Sequence, residues 1–341
     1  MSPSFGDLAD ASNLRAFHAA LREELGQRRP DVVVHDLHPS YHSTTATRRA
    51  ASAAGVPCEA VQHHHAHVCA CLAENGTAAP AIGIACDGTG FGPDGAIWGG
   101  EILYASPGEF ERCANLDYFP LPGGDAAARQ TWRPAWSLVW QAYNGSVPAD
   151  AEGLFDRVPR PERQTVAAMV AAGVNAPATS SLGRVFDAVS FLVGLCDCNT
   201  FEGQAAIRLQ QTAEGRPADP YTWESATEDG VERLILGPMI RSICRDVLDR
   251  RPAGDIAGAF HATVGRMLAE TAAAAATQRG VDTVALTGGC FLNTILAGHV
   301  ERTLSDLGVP RVLRHRRLSP GDAGLSLGQA FVVAARLRSV T

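Results

Sequence analysis

The segment AIGIACDGTGFG, residues 81–92, joins an apolar run to a glycine-rich string, and IWGGEIL follows at residues 97–103. Short apolar runs separated by glycines predict the two strands of a hairpin. Gly88, Thr89 and Gly90 lie in the expected connection, where glycines let backbone amides approach a phosphate closely. The alternative is an ordinary glycine-rich hairpin turn that binds nothing.

Strands and helices alternate on both sides of this hairpin. An apolar rhythm between Leu14 and Leu25 predicts an amphipathic helix that ends near Gly26, and residues 32–34 form an apolar strand after it. The predicted downstream elements are a helix from Ser180, a strand at 283–286, and helices at 256–278 and 323–337. This alternation predicts an α/β fold whose lobes surround a cleft.

The connection between the lobes is placed in residues 107–176, a stretch rich in proline, glycine and arginine. We therefore expect an N-terminal lobe at residues 1–175 and a C-terminal, nucleotide-binding lobe at residues 176–324. The last helix, residues 325–341, is expected to pack back on the N-terminal lobe.

Composition limits the functions open to the chain. With 341 residues, 46% of them hydrophobic, it can bury a large core. Its formal net charge of -7 gives no general attraction to phosphate backbones, so no nucleic-acid partner is expected. All 29 basic side chains are arginine. Because a P-loop and a pyridoxal Schiff base both need lysine, both chemistries are excluded.

Cysteine usage and hydropathy indicate an intracellular protein. The nine cysteines include no C-x-x-C pair, which excludes a zinc ribbon and a thioredoxin-type motif. The N-terminus lacks a signal pattern, and no apolar run approaches the roughly 18 residues of a membrane span. We expect a cytoplasmic protein with reduced thiols and no membrane partner.

Four histidines lie in QHHHAH, residues 62–67. His63 and His67 are four residues apart, so on a helix their imidazoles project from one face and can share a metal ion. Zinc peptidases place a glutamate after the first such histidine, whereas another histidine follows here, which argues against peptidase chemistry. Carboxylates at strand ends would complete the site, and Asp87 and Asp322 lie in suitable turns. The alternative is a solvated polar helix end.

Two further polar turns follow apolar strands. HDLHP, residues 35–39, comes at the carboxyl end of a strand, where α/β proteins place ligands, although a capped turn is the alternative. TGGCFLN, residues 287–293, separates a strand from a helix. The amides of Gly288 and Gly289 there could bind a nucleotide phosphate without any lysine. A tight turn without a ligand is the alternative.

These segments, in this order, closely resemble the carboxyl-terminal half of HypF, a hydrogenase maturation protein. The later pieces that agree are GRVFD at 183–187, EGQAA at 202–206, the Gly288–Gly289 turn and PGDAGLSLGQ at 320–329. The resemblance covers nearly the whole chain. Because that half of HypF is similar to the tRNA threonylcarbamoyl transferase TsaD, it implies a two-lobed actin-like ATPase fold with a nucleotide and metal cleft.

The resemblance also implies residue roles. His63, His67 and Asp322 would be metal ligands, with Asp87 as a further ligand or phosphate neighbour; His63, His67 and Asp87 would form the catalytic centre. The implied nucleotide contacts are Gly88, Thr89 and Gly90 at the phosphates, Asp187 and Glu202 at the ribose, and Gly203, Gly288, Gly289 and Asn293 along the rest. Histidine with carboxylate suits iron and zinc equally well.

Two departures from the family pattern stand out. Full HypF proteins carry an acylphosphatase domain, zinc-finger-like cysteine clusters and a YrdC-like domain that makes carbamoyl-adenylate, none of which is encoded in these residues. The chain also starts with SFGDL at residues 4–8, which resembles a point inside the transfer domain. We expect a fragment or a naturally short version, its missing domains acting in trans or lost by truncation.

The implied function is carbamoyl transfer from carbamoyl-adenylate to the C-terminal cysteine thiolate of HypE, on the route to the cyanide ligands of the nickel-iron centre. The implied cofactors are a divalent metal, iron or zinc, and ATP or carbamoyl-adenylate. One alternative is a small-molecule O-carbamoyltransferase. Another is a noncatalytic nucleotide-binding scaffold that docks a YrdC-like protein.

Overall fold

The computed structural model describes residues 5–28 and 30–340, and it has the predicted α/β class. A nine-stranded mixed sheet forms its centre, and two further strands form a separate parallel pair. Residue 4 of the predicted starting segment and residue 341 of the predicted last helix lie outside the described residues. Within the described ranges, no helix combines the length and apolar character needed to cross a membrane.

The strands and helices alternate along the chain. The strands are β1 (Val33–Asp36), β2 (Cys58–Val61), β3 (Ala81–Phe91), β4 (Ile97–Ala105), β5 (Phe110–Leu116), β6 (Phe119–Pro120), β7 (Ala178–Thr179), β8 (Glu224–Glu228), β9 (Val231–Ile235), β10 (Thr283–Thr287) and β11 (Arg311–Arg314). The helices are α1 (Ala11–Arg28), α2 (His42–Ala54), α3 (His63–Glu74), α4 (Asp125–Arg129), α5 (Trp132–Ala142), α6 (Ala149–Glu152), α7 (Arg160–Ala172), α8 (Leu182–Leu192), α9 (Gln204–Ala213), α10 (Gly237–Leu248), α11 (Ala253–Arg279), α12 (Thr294–Asp306) and α13 (Leu325–Val340).

The main sheet has the order β11-β10-β3-β4-β5-β9-β8, with β6 and β7 attached beside β4. β10 runs parallel to both β11 and β3, whereas β4 runs antiparallel to both β3 and β5. Strands from both sides of residue 175 therefore share one sheet. The division into lobes at that residue stays a prediction.

β3 and β4 form the predicted hairpin, but the glycine-rich string is not in its connection. The pairing shifts register between Cys86 and Gly90, and the strand continues to Phe91. The turn falls instead at residues 92–96, which the amide of Gly92 closes by donating to the carbonyl of Ala96. Extra unpaired residues bend a strand and re-aim its side chains. The expected position of Gly88–Gly90 between the strands is therefore wrong.

Helices cover both faces of the sheet, because successive strand residues point to opposite sides. Val68 of α3 packs on Gly83 of β3 and shares an apolar cluster with Ala85, whereas Ile84 belongs to the larger core formed with α8 and α11. α13 stacks on the outer side of α3, and a β-carbon on Gly328 would overlap the carbonyl of Ala66. This close helix contact holds the start of α3 in place.

Several predicted boundaries shift slightly. α1 ends at Arg28, two residues beyond Gly26. No residue of α1 is fully buried, so the apolar face of this helix is only partly covered by the rest of the protein. Ser181, not Ser180, caps α8 by accepting from the backbone amide of Arg184. Ser180 cannot serve as the cap because its hydroxyl bonds to Glu101 in the sheet.

Candidate metal and nucleotide site

Four side chains, His63, His67, Asp87 and Asp322, converge at the start of α3, and their ligand atoms lie within 4.8 Å of one another. Nε2 of His67 is 3.0 Å from Oδ2 of Asp87 and 3.3 Å from Oδ1 of Asp322. Nε2 of His63 is 3.7 Å from each of the same two oxygens. The structure thus brings together all four residues predicted to bind a metal.

The facing atoms of this cluster are buried and unpaired. Nε2 of His63, Nε2 of His67 and Oδ2 of Asp87 make no hydrogen bond, although they lie at ion-pair distances. Such atoms cost stability unless something satisfies them, and a divalent cation with N and O ligands at about 2.0–2.2 Å would do so. The Asp322 side chain is 74% exposed, against 14% for Asp87, so the cluster opens to solvent on that side. The residues fit a metal with an open coordination position.

Asp36, at the end of β1, orients His63. Its Oδ2 lies 2.8 Å from Nδ1 of His63, and its Oδ1 accepts from the backbone amide of His38. Because a carboxylate only accepts, Nδ1 carries the proton and Nε2 is left to face Asp87. A buried carboxylate behind an imidazole is the usual outer arrangement of a metal-binding histidine.

The other two histidines of the run do not join the cluster. Nε2 of His65 lies 2.7 Å from the carbonyl of Ser106, and His64 lies beside Gln62 and the ring of Trp98. All four imidazoles are buried. The alternative of a solvated helix end is therefore wrong, because the helix start is enclosed by β3, β4 and α13.

Interactions among the cluster side chains shift their pKa values more than burial does, and in the opposite direction. Burial opposes the charged form of His63, but the hydrogen bond to Asp36 and the carboxylates of Asp87 and Asp322 raise its pKa to about 10. Against the same burial, Asp322 and Asp87 also raise the pKa of His67. The pKa of Asp87 is held well below its usual value, because both imidazoles overcome its burial. Protons and a metal ion are thus alternative ways to neutralise these carboxylates.

The Gly288–Gly289 turn packs directly on β3. Gly288 has φ +94°, and a β-carbon there would overlap the carbonyl of Cys86. A β-carbon on Gly289 would lie 3.1 Å from Oδ1 of Asp87. The amide of Gly288 donates to the carbonyl of Pro320, which ties this turn to the segment that carries Asp322. The turn therefore positions two acidic members of the cluster, and its first amide is already bonded.

The string Gly88–Thr89–Gly90 lies between the metal cluster and α8. The hydroxyl of Ser181 donates to the carbonyl of Gly88, and the Gly88 amide bonds its neighbour's carboxylate, Oδ1 of Asp87, at 2.7 Å. Thr89 is exposed. A β-carbon on Gly90 would overlap the ring of His64, so only glycine fits beside the histidines.

Asp187 and Glu202 have different surroundings. Asp187 is buried, accepts from Nδ2 of Asn199 at 3.0 Å, and lies 2.7 Å from Nε of Arg184. Burial raises the pKa of Asp187, and the two partners offset this only in part. Glu202 is exposed and precedes Gly203, the N-cap residue of α9, which has φ +74°. Their shared role at a ribose stays a prediction.

Asn293 caps α12. Its Oδ1 accepts from the amides of Ile295 and Leu296, and its Nδ2 lies 2.9 Å from Nε2 of His261. Both ends of the side-chain amide are therefore engaged within the protein. Its predicted contact with a nucleotide stays a prediction.

Two protein-family profiles together match all the residues that form this site. The profile of the "Carbamoyltransferase, Kae1-like Domain, second subdomain" matches residues 83–329, and that of the "HypF Kae1-like domain" matches residues 1–74. The chain belongs to the HypF carbamoyltransferase family. This confirms the resemblance inferred from the sequence motifs.

Individual HypF relatives differ in length. A carbamoyltransferase HypF homolog of Cupriavidus necator is 40% identical over 348 residues, which cover 98% of this chain and 86% of that protein. Carbamoyltransferase HypF2 of the same organism is 38% identical over 367 residues, 98% of this chain but 44% of its own length. The chain thus spans less than half of the longer HypF relatives.

Two solved HypF structures share the fold. A crystal structure of full-length HypF in the phosphate- and nucleotide-bound form superposes with a TM-score of 0.90 and 32% identity, covering 98% of this chain and 43% of that one. The structure of T. kodakarensis HypF gives 0.87 and 30%, covering 99% and 45%. The fold is that of the HypF Kae1-like domains, consistent with an actin-like ATPase fold.

Asp36 and Arg184 are site residues to which the sequence assigned no role in HypF chemistry. Asp36 lies in the HDLHP turn, whose position after a strand marked it as a ligand-binding turn, but its pairing with His63 spans 27 residues of chain. Arg184 lies within the GRVFD motif, and its guanidinium faces Asp187. The contact of Asp36 with His63 depends on tertiary structure, whereas the Arg184–Asp187 pair lies three residues apart on α8, a spacing that places both side chains on one helix face.

Proposed function

We propose that this chain transfers a carbamoyl group from carbamoyl-adenylate to the C-terminal cysteine thiolate of HypE during hydrogenase maturation. The observation that carries the proposal is the cluster of His63, His67, Asp87 and Asp322, with its unpaired ligand atoms, in a chain of the HypF family. The thiolate would attack the carbamoyl carbon and form a C–S bond. The C–O bond to AMP breaks, and AMP leaves with the electron pair.

The cluster would hold a divalent metal, iron or zinc. Such an ion acts as a Lewis acid that polarises a carbonyl or phosphoryl oxygen. His63 and His67 would present neutral Nε2 atoms, with Asp36 fixing the ring of His63. The exposed side chain of Asp322 marks the side from which substrate enters, because the other three ligands are largely enclosed.

The adenylate would bind between the glycine strings and α8. The full-length HypF structure in the phosphate- and nucleotide-bound form, which shares this fold, supports nucleotide binding in the family. Asp187 and Glu202 would bind the ribose hydroxyls. Gly88, Thr89 and Gly90 would face the phosphate, and Gly203, Gly288, Gly289 and Asn293 would line the rest. The enclosed histidine side would keep water away from an activated carbamoyl group.

Making carbamoyl-adenylate would be the task of acylphosphatase and YrdC-like domains. The match to 44% of one HypF relative supports a role for further domains beside this one. We propose that they act in trans or within a longer chain, and that their product, carbamoyl-adenylate, passes from the YrdC-like site to the cluster.

The mass of the HypE C-terminal peptide tests this function. We expect no carbamoylation when the 341-residue chain receives only carbamoyl phosphate and ATP, and modification when acylphosphatase and YrdC-like domains are added. His67→Ala should abolish the modification, whereas Asp94→Ala should not, because Asp94 bonds Trp98 and Tyr118 and no cluster residue. Full modification by the chain alone contradicts the proposal that other domains make carbamoyl-adenylate. No modification with every domain present favours a small-molecule acceptor or a noncatalytic scaffold.

A further inference from the structure

Arg184 lies where the predicted nucleotide elements meet. It occupies the first turn of α8, and its Nε is 2.7 Å from Oδ2 of Asp187. A β-carbon built on Gly88 would lie 3.8 Å from its Nη2. The turn is packed closely against β3, because a β-carbon on Gly183 would lie 2.7 Å from Cα of Gly88. The guanidinium thus spans the gap between the ribose-side carboxylate and the glycine string.

The terminal nitrogens of this guanidinium have no partner within the described part of the chain. Its Nε faces Oδ2 of Asp187 at 2.7 Å, an ion pair in which neither atom makes a hydrogen bond. Arg112 is a useful contrast, since its side chain is 9% exposed against 12% for Arg184. All three of its nitrogens donate, to Glu101, Tyr118 and Ser180. Arg112 uses its donors within the protein, whereas the terminal nitrogens of Arg184 are available to a ligand.

The surroundings of Arg184 are acidic. Asp187 is the ion-pair partner of Arg184, and Asp87 of the metal cluster directly precedes Gly88, which lies beside the guanidinium. An anionic ligand entering here meets carboxylates on several sides, and the chain has no lysine to offset them. An arginine fork matches phosphate oxygens in geometry and in charge.

We propose that Arg184 binds the phosphate of the adenylate, an inference that rests on the proposed function. A phosphate beside Gly88 would accept from the terminal nitrogens while Nε stays on Asp187. The same group becomes the leaving AMP when the C–O bond breaks, so the guanidinium would balance the charge left on it. Asp187 would orient the guanidinium on one side and bind the ribose on the other.

Calorimetric titration of the whole chain with AMP and with adenosine tests this role. The two ligands share base and ribose, so any disturbance through Asp187 affects both and cancels in the ratio of their dissociation constants. For Arg184→Met we expect the preference for AMP over adenosine to fall about tenfold or more. Arg184→Lys should retain part of it, because a point charge replaces the fork. Arg163→Met is the matched control, with a side chain 13% exposed and an ion pair to Asp156 elsewhere.

Each result decides the assignment. A preserved ratio in Arg184→Met, or an equal loss for both ligands, overturns the phosphate role and leaves nucleotide binding itself intact. If the wild-type chain binds neither AMP nor adenosine, the nucleotide part of the proposed function fails, and the Arg184 assignment fails with it. A fallen ratio in Arg184→Met, with an unchanged ratio in Arg163→Met, supports the proposal.

Discussion

The metal cluster and the predicted nucleotide surface lie side by side but differ in how their polar atoms are used. In the cluster, Nε2 of His63 and His67 and Oδ2 of Asp87 point at one another without a hydrogen bond. On the nucleotide side, Asn293 caps a helix and the amide of Gly288 bonds within the protein. The first region has donor atoms prepared for a ligand, whereas much of the second is already satisfied.

This difference predicts which of the two sites binds its ligand more tightly. A metal would gain three ligand atoms that have no other partner, so it needs no rearrangement of the chain. A nucleotide would have to exchange protein hydrogen bonds for its own, except at the terminal nitrogens of Arg184, which bond none of the described residues while Nε faces Asp187. We therefore expect the metal site to bind its ligand more tightly than the nucleotide surface does, and with less rearrangement of the chain.

The largest effect should come from His67→Ala. Removing one of two imidazole ligands should lower metal affinity by more than the roughly 10–100-fold typical of losing an outer hydrogen-bond partner. Metal content after dialysis measures it, and thermal melting checks that the fold survives. His65→Gln is the matched control, since His65 is buried on the same helix but bonds to Ser106. Metal loss in both variants, or in neither, would reject the assignment.

Asp36→Ala should have the next largest effect. Without the carboxylate, Nδ1 of His63 loses its acceptor and the ring loses its fixed orientation, so metal affinity should fall about 10–100-fold. Competition with a chelator of known affinity measures the change. Asp94→Ala removes a carboxylate that bonds Ala96, Trp98, Arg112 and Tyr118 and none of the cluster residues, and it should leave the affinity unchanged. An unaltered affinity in Asp36→Ala would show that His63 needs no support.

Asp187→Ala should give the smallest of the three changes. Losing charged hydrogen bonds to the ribose should weaken ATP about tenfold. It should weaken 2′,3′-dideoxy-ATP much less, since those bonds are absent there from the outset. Fluorescence or calorimetric titration of both nucleotides provides the comparison. Equal losses for the two would mean that Asp187 acts only by holding Arg184 and Asn199.

The sequence could predict those features that depend on local periodicity. His63 and His67 share a face because four residues make about one helical turn, and β3 and β4 pair because their apolar runs are short and close in sequence. The turn sequence around Asp322 marked it as a candidate carboxylate, and the family motifs supported its pairing with His63 and His67, more than 250 residues earlier.

What sequence could not predict depends on tertiary packing. The register shift after Cys86 arises where Gly90 must fit beside the histidine rings, so the string DGTG lies inside β3 and not in the turn. The contact of Asp36 with His63 and that of Arg184 with Gly88 also cross between elements. A propensity or a spacing carries no information about such pairs.

X-ray absorption spectroscopy of the metal-loaded chain tests the central claim most directly, because it reports the ligands themselves. The account predicts N and O scatterers at about 2.0–2.2 Å, with the multiple-scattering pattern of two imidazoles. His67→Ala should reduce that pattern to one imidazole or prevent loading. Sulfur ligands at about 2.3 Å, or a shell of water oxygens without imidazole, would contradict the assignment of His63, His67, Asp87 and Asp322 as the metal site.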